Sequence, residues 1–231
     1  MFSGLASAAG DLWPPVDLPK SAAVVQVRVE YIEVPHETFT RLMFLKPAGS
    51  NDDSVMREKL QEMVVRNEAK VVETLLLACQ SGSKATVESI RELIYPCEYP
   101  GGWVCGPPLP EPASDSIFPL VPTAFDTRNC GGTMEIEPIV SGDGKSVQLT
   151  VIPDLVSHSG NTVVQEGKAA LGNPVTTLMP DFHAARVHVK MNCPVGQHVL
   201  AGVLSPPDAN GKTDMTRKLL VMVRCDILTV K

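Results

Sequence analysis

The sequence lacks the features that characterise a membrane-spanning helix or a nucleic-acid-binding protein. No run approaches the roughly 18 consecutive apolar residues that a transmembrane helix needs. Lysine and arginine are not clustered, since the densest basic stretch is Arg217-Lys218, and the formal net charge is −6. Affinity for phosphate backbones depends on clustered positive charge. We therefore expect no membrane-spanning helix and no nucleic-acid partner.

The motifs of common catalytic and metal sites are also missing. There is no C-x-x-C, H-E-x-x-H or G-x-S-x-G, the patterns of redox, zinc and hydrolase sites. The turn at 141–145 (SGDGK) lacks the endings of phosphate and calcium loops. Glu135 and Glu137 share one strand face, where exposed acidic residues are commoner than a catalytic pair. We predict no enzyme activity, no cofactor, and no catalytic, cofactor-binding or metal-binding residue.

Aromatic residues are scarce, at 5% of the chain, while Val, Leu, Ile and Thr recur in short runs. That composition favours strands over helical bundles. The run 24–34 alternates, with valines on one face (25, 27 and 29) and polar residues on the other (26, 28 and 30). Such alternation predicts a half-buried strand. The best helix spans 52–67, with Asp52 or Asp53 as its cap and apolar residues at three-to-four spacing.

The remaining runs predict more strands. Two hairpins are expected, one of 71–80 with 84–95 and one of 125–140 with 146–153. A polar loop at 157–178 is expected to precede the last three strands, at 185–191, 199–204 and 219–230. The predicted fold class is mainly β (α+β), with mostly antiparallel sheets of about eight strands and one packed helix near 52–68. Residues 36–45 form at most a short helical turn.

The chain divides into an extended, proline-containing leader at 1–23 and one β domain at 24–231. Within that domain, residues 96–122 contain eight prolines and predict a long surface loop. Its apolar residues are candidate anchors for a partner: Trp103, Leu109, Ile117 and Phe118. In the alternative interpretation these side chains cover an apolar edge of the sheet.

Six cysteines are many for a reducing compartment but too few to establish a disulfide framework. Cys97 and Cys105 flank the stretch 98–104 (EYPGGWV), whose prolines and glycines favour a turn. A disulfide between them would restrain the proline-rich loop. The alternative is two free thiols, since spacing alone does not establish pairing.

Several segments, in order, resemble one bacterial family. They are 27–34 (VRVEYIEV), 71–73 (VVE) with 81–96 (SGSKATVESIRELIYP), 122–128 (PTAFDTR), 132–138 (GTMEIEP), 151–156 (VIPDLV), 196–202 (GQHVLAG) and 217–223 (RKLLVMV). Together they resemble the C-terminal secretin domain of outer-membrane channel proteins from type II and type III secretion systems and type IV pili. The resemblance runs from about residue 24 to the end of the chain, and the ending at 91–96 is its most specific part.

The sequence departs from the family in one interval. Between the strands at 199–204 and 217–223, secretins carry an apolar stretch, whereas this chain has the short polar segment 205–216. Its strand-like runs also lack the apolar face over about 9–11 positions that contact with lipid requires. The domain therefore resembles a degenerate and shortened version of the secretin domain, and we expect that it does not itself form the pore.

The resemblance implies a structural protein of a type IV pilus or protein-secretion machine, with other components of that apparatus as partners. One alternative is a pore-forming secretin subunit that assembles as a homo-oligomeric ring in the outer membrane. Another is a β-sandwich binding or adhesion module at the cell surface. The implied location is the periplasm or the outer membrane, with a signal peptide already removed. Residues 1–10 contain no basic residue and do not themselves form a signal peptide.

Overall fold

The computed structural model describes residues 23–44, 46, 49–99, 117, 120–169 and 171–228. Two helices and nine strands lie in this part of the chain. In chain order they are β1 (Val24–Pro35), α1 (His36–Phe44), α2 (Ser54–Val65), β2 (Lys70–Gln80), β3 (Ala85–Glu98), β4 (Ala124–Val140), β5 (Ser146–Lys168), β6 (Pro174–Arg186), β7 (Val189–Pro194), β8 (His198–Leu204) and β9 (Arg217–Leu228).

The strands form two antiparallel sheets. Sheet A has the order β2-β1-β9-β8, so the first and last strands of the described chain pair at its centre. Sheet B has the order β3-β4-β5-β6, and β7 pairs with the early part of β5. The mainly β, antiparallel class predicted from the sequence is confirmed, with nine strands in place of about eight and two helices in place of one.

The main core lies between the two sheets. The alternation of β1 places Val25, Val27, Val29 and Tyr31 in this core with no exposed surface. Residues of sheet B face them, among them Ile136 of β4 and the alternate positions 147, 149 and 151 of β5. Burial of one face of each strand is what an alternating pattern predicts, so this part of the fold follows from the sequence.

A second, smaller core lies on the other face of sheet A, which the two helices cover. Ile32 and Val34 of β1 contact this core together with Leu60 of α2. The polar face predicted for β1 is therefore not entirely exposed to solvent. Glu30, which is only 7% exposed, lies under α2 and pairs with Arg57 at 2.7 Å between Oε2 and Nε.

Asp53, at the start of α2, holds that helix against sheet A. Its carboxylate accepts the backbone N–H of Leu200 at 2.9 Å and a hydrogen bond from Lys46 at 3.0 Å. Its backbone N–H donates to the carbonyl of His198 at 2.7 Å. Asp53, one of the two caps that the sequence predicts, therefore anchors the helix to β8. Its carboxylate accepts no capping hydrogen bond from the N–H groups of the helix itself.

The hairpin predicted for 71–80 and 84–95 is wrong. β2 pairs with β1 and β3 pairs with β4, so the turn crosses from one sheet to the other. Ser81 donates its N–H to Ala23 at one sheet edge, and Gly82 donates to Pro138 of β4. Two alternating runs joined by a glycine turn have the same sequence pattern whether they pair with each other or belong to different sheets. The alignment of β2 with a strand some 45 residues earlier decides between them, and no local signal encodes it.

The predicted loop at 157–178 is also wrong. Residues 157–168 continue β5, and residues 174–178 begin β6, with which β5 pairs antiparallel with two shifts of register. The segment is polar because both of its faces contact solvent over most of its length. His36–Phe44 is a full helix, where the sequence indicated at most one turn. The hairpin of β4 and β5 around 141–145 is confirmed.

The division into a leader and a domain stays a prediction, because residues 1–22 lie outside the described part of the chain. Of the proline-rich loop predicted at 96–122, the structure describes residues 96–99, 117 and 120–122. The strands on either side of the loop reach further than the sequence indicated, since β3 includes Pro96. A proline is tolerated there because the strand lies at the edge of its sheet.

Candidate interaction surface

Two hairpin arms extend beyond the sandwich. β4 and β5 pair only from Gly131 with Val156 to Val140 with Val147, within the part of the chain that is described. Beyond that point β4 stays paired with β3, and β5 stays paired with β6. We call residues 90–98 with 124–130 the first arm, and residues 157–168 with 174–184 the second arm. Among the residues that the structure describes, each arm has two strands, and two strands alone are marginally stable in water.

The point where the first arm leaves the body requires a glycine. Gly131 has a φ of 135°, a conformation that residues with a side chain rarely adopt. A Cβ placed on it would lie 2.1 Å from the backbone oxygen of Ser89 on β3. The glycine therefore permits the close approach of β3 and β4 at the place where β4 separates from β5.

An ion pair marks the base of the second arm. Arg186, the last residue of β6, donates from Nε to Oδ2 of Asp154 on β5 at 3.0 Å. The neighbouring carboxylate raises the pKa of Arg186 through this hydrogen bond. The pair lines an open polar cleft of about 570 Å³ together with Glu88 of β3 and with Glu92 and Arg128 of the first arm. The cleft is where the two arms diverge.

The arms contact each other beyond their bases. Tyr95 of the first arm and Phe182 of the second have ring centroids 5.4 Å apart, and His158 lies 6.1 Å from Phe182. The hydroxyl of Tyr95 donates to Asp126 at 3.2 Å. Partial desolvation and the Asp126 carboxylate raise the pKa of Tyr95. These contacts orient the arms side by side with a small aromatic cluster between them.

A third contact lies at the tips. Ile117, just before β4, donates its N–H to the carbonyl of Lys168 at the end of β5, at 2.8 Å. A Cβ on Gly167 would lie 2.6 Å from Cδ1 of Ile117, so the glycine leaves room for that side chain. Ile117 of the proline-rich loop thus contacts the end of the second arm.

The outer edges of the arms are open. β3 and β6 end the strand order of sheet B, so among the described residues each has a partner on one side only. Large apolar side chains are exposed on the arms and near their tips: Ile90, Ile94, Val121, Phe125, Val163, Val164, Leu171 and Leu178. An unpaired strand edge with apolar side chains is a surface on which another strand can pair.

Of the partner residues predicted from the sequence, Ile117 lies in the part of the chain that the structure describes. Ile117 is half-buried against Gly167. Trp103, Leu109 and Phe118 lie outside the described residues, and their role stays a prediction. Cys97 is exposed near the end of β3. Its predicted partner Cys105 lies outside the described residues, so the disulfide also stays a prediction.

The second arm and the contacts that join the two arms were not predicted from the sequence. A usable signal was present at 174–180 (PVTTLMP), where Val175, Thr177 and Met179 alternate in a run rich in β-branched residues. The contact between Tyr95 and Phe182 had no such signal, because it joins positions 87 residues apart in different hairpins.

The acidic residues considered for catalysis have ordinary surface roles. Glu135 pairs with Lys84 at 2.7 Å, and both side chains are substantially exposed. In the part of the chain that is described, no group of three or more histidine, cysteine or acidic side chains could hold a metal ion. No described helix is long and apolar enough to cross a membrane.

The comparisons with known proteins concern structure and not sequence. No family model matches this chain, and no curated protein matches it. The chain is similar in structure to ExeD of Aeromonas hydrophila, with 15% identity, coverage of 90% of this chain and 49% of that chain, and a TM-score of 0.42.

Two further structures are similar. The V. cholerae type IV competence pilus secretin PilQ has 11% identity, coverage of 93% of this chain and 63% of that chain, and a TM-score of 0.46. The type II secretin GspD from enteropathogenic Escherichia coli has 12% identity, coverage of 90% and 70%, and a TM-score of 0.44. The chain thus spans about half the length of ExeD and less than two thirds of PilQ.

Proposed function

We propose that this chain is a non-enzymatic structural subunit of a type IV pilus or protein-secretion machine, located in the periplasm or at the outer membrane. It joins that machine through its two arms and does not itself form the pore. The observation that carries the proposal is the pair of open strand edges, β3 on one side of sheet B and β6 on the other. The ordered sequence resemblance to secretin domains supports the choice of machine.

The arms suit an assembly role because their surface is incomplete in the isolated chain. Ile94 is 70% exposed and Phe125 is 61% exposed, although both lie in paired strands. An added strand on the β3 edge would satisfy the free backbone groups and cover apolar surface at the same time. The second arm offers Leu178, which is 46% exposed, near the β6 edge.

A second candidate is the pore-forming ring subunit, and one observation favours it. The two open edges belong to different strands, so the β3 edge of one copy can pair with the β6 edge of the next. A head-to-tail contact of this kind closes into a ring when its rotation permits. Against this candidate, the first arm carries charged residues on both faces, among them Arg91 and Glu92.

The proposal is tested by substituting an edge residue and following assembly. Ile94→Lys with Leu178→Lys places charges beside both open edges, which opposes strand addition. In cell envelopes, native electrophoresis should show the wild-type chain in a high-mass complex and the double variant largely released from it. The matched control is Ile139→Lys, an exposed isoleucine of β4 in the body, which should stay in the complex. Equal release of variant and control would contradict the proposal.

Particle size separates the two candidates. The purified chain should be monodisperse and small without detergent if it is a component that does not form the pore. A large ring that requires detergent to stay dispersed would favour the pore-forming subunit and refute the first proposal. Binding of a glycan or peptide to a monomer at micromolar affinity would instead favour the surface-binding module.

The predicted loop has its own test. Deletion of residues 104–118 should leave the thermal transition nearly unchanged and should weaken incorporation into the complex, if the loop contacts a partner. Loss of cooperative unfolding would show that its apolar residues belong to the fold. An unchanged transition with unchanged incorporation would exclude both roles.

A further inference from the structure

Two cysteines lie opposite each other between the sheets. Cys193 is on β7, beside Val147 of sheet B, and Cys225 is on β9, beside Val27 of sheet A. Both side chains are completely buried in the same hydrophobic core. They are at the end of the sandwich away from the arms, so they take no part in the surface described above.

The turn that follows β7 brings the end of that strand to β9, because Gly196 donates its N–H to the backbone carbonyl of Cys225 at 2.8 Å. A hydrogen bond with Cys225 lowers the pKa of Cys193, against the opposite effect of burial. The same hydrogen bond and burial raise the pKa of Cys225. Because both side chains lie in the same core and Gly196 ties the end of β7 to Cys225, the pair is placed where a disulfide can link the two strands.

We propose that Cys193 and Cys225 are a modification site, and that they form a disulfide linking the two sheets when the chain folds in an oxidising compartment. The other described cysteines lack this arrangement. Cys79 contacts the carbonyl of Ser83 at 3.6 Å, and Cys97 and Cys130 lie outside the buried core. The pairing is thus specific, although the sequence alone offered only the spacing of Cys97 and Cys105.

The oxidant is a disulfide compound, either a small molecule or a disulfide-exchange protein. The Cys193 thiolate attacks one sulfur of that compound and expels a thiolate, which takes the proton of the Cys225 thiol. Cys225 then attacks the Cys193 sulfur of the mixed disulfide and releases the second thiol. Two protein thiols and one external disulfide become one protein disulfide and two external thiols. Because both cysteines are buried, the exchange takes place before the sheets close or during their opening.

The bond would act on stability and would depend on location. It closes a segment of about 30 residues, and a loop of that length removes substantial freedom from the unfolded chain. Such bonds persist in the periplasm and outside the cell and are rare in the cytosol. The redox state of this pair therefore also reports where the chain folds, independently of what the arms bind.

The test uses the full chain. Reduced, denatured protein is refolded in a mixture of oxidised and reduced glutathione, free thiols are alkylated, and the protein is digested without reductant. We expect a linked peptide pair containing residues 193 and 225. The thermal midpoint should fall by roughly 5–15 °C when a reductant is added to the folded protein under conditions that permit opening.

Two variants complete the experiment. Cys225→Ala should abolish the redox dependence of the midpoint, and the matched control Cys79→Ala should retain it. If Cys225→Ala fails to fold, the linked peptides of the wild-type protein and the redox dependence of its thermal midpoint still test the proposal. Alkylation of both Cys193 and Cys225 in natively refolded protein, a link from either residue to another cysteine, or equal midpoints with and without reductant would overturn the proposal.

Discussion

The sandwich body and the two arms are built from the same strands, yet their surroundings differ completely. In the body, Ile136 of β4 has no exposed surface, whereas in the first arm Phe125 of the same strand is 61% exposed. The hydrogen-bonded pairing with β3 continues through both regions without a break at β4. The two regions differ in exposure because sheet A covers the body and does not cover the arms.

From this difference we infer a division of roles between the body and the arms. The body gains its stability from apolar burial between the sheets and beneath the helices, so its residues tolerate little change. The arms bury little within the chain, and their exposed apolar side chains and open edges remain for another molecule. Four experiments test this division.

The largest effect is expected in the body. Ile136→Ala removes a completely buried side chain from the main core and should reduce the free energy of unfolding by about 2–5 kcal/mol. Ile94→Ala, in the first arm, should change it by less than about 0.5 kcal/mol. Chemical denaturation of both variants checks the contrast. Similar losses would mean that the arm is part of the cooperative core.

The buried ion pair beneath α2 should come next. Glu30→Gln leaves Arg57 without its charged partner and should cost about 2–3 kcal/mol at neutral pH. Arg57 lowers the pKa of Glu30 below its ordinary value of 4.5, through their hydrogen bond. The contribution is therefore present above pH 4.5 and is lost as the pH falls through the lowered pKa.

Thermal unfolding of wild type and variant across that range measures the effect. The two stabilities should converge in acid as Glu30 is protonated. A difference that grows as the pH falls would contradict the assignment. Gln61, which Arg57 also contacts from Nη1 at 3.1 Å, provides the control Gln61→Ala, with a much smaller and pH-independent effect.

A smaller and more local effect is expected where the first arm leaves the body. Gly131→Ala strains a backbone with positive φ and places Cβ against Ser89, which should cost about 1–3 kcal/mol. Hydrogen exchange should increase mainly in residues 86–94 and 124–133. Gly142→Ala, which has open space around it, is the control and should have little effect. Equal exchange in both variants would show that Gly131 is not required there.

The smallest effect concerns the contact between the arms. Phe182→Ala removes a ring from the cluster with Tyr95 and His158 and should cost about 1 kcal/mol or less. Amide exchange should rise in both arms while the body is unaffected. Exchange that rises only in the second arm would show that the arms move independently of each other.

Several features could be predicted from the sequence because they depend on neighbouring residues. The alternation of Val25, Val27 and Val29 identified a core strand, and three-to-four spacing identified α2. The turn at 141–145 identified the hairpin of β4 and β5. Because catalytic motifs are absent, the sequence predicted surface anchors for a partner. One of these anchors, Ile117, is half-buried at a contact between the arms.

The sequence by itself determined the strand-rich class, the core face of β1 and the main helix, because side-chain periodicity and local backbone preferences act over a few residues. Only the tertiary structure decided which strands pair, that the turn at 81–83 passes between sheets, and that residues 157–178 form an arm. It also brought the turn that follows Cys193 to Cys225, and Tyr95 to Phe182. These outcomes depend on the free energy of burying distant segments together, which no local pattern specifies.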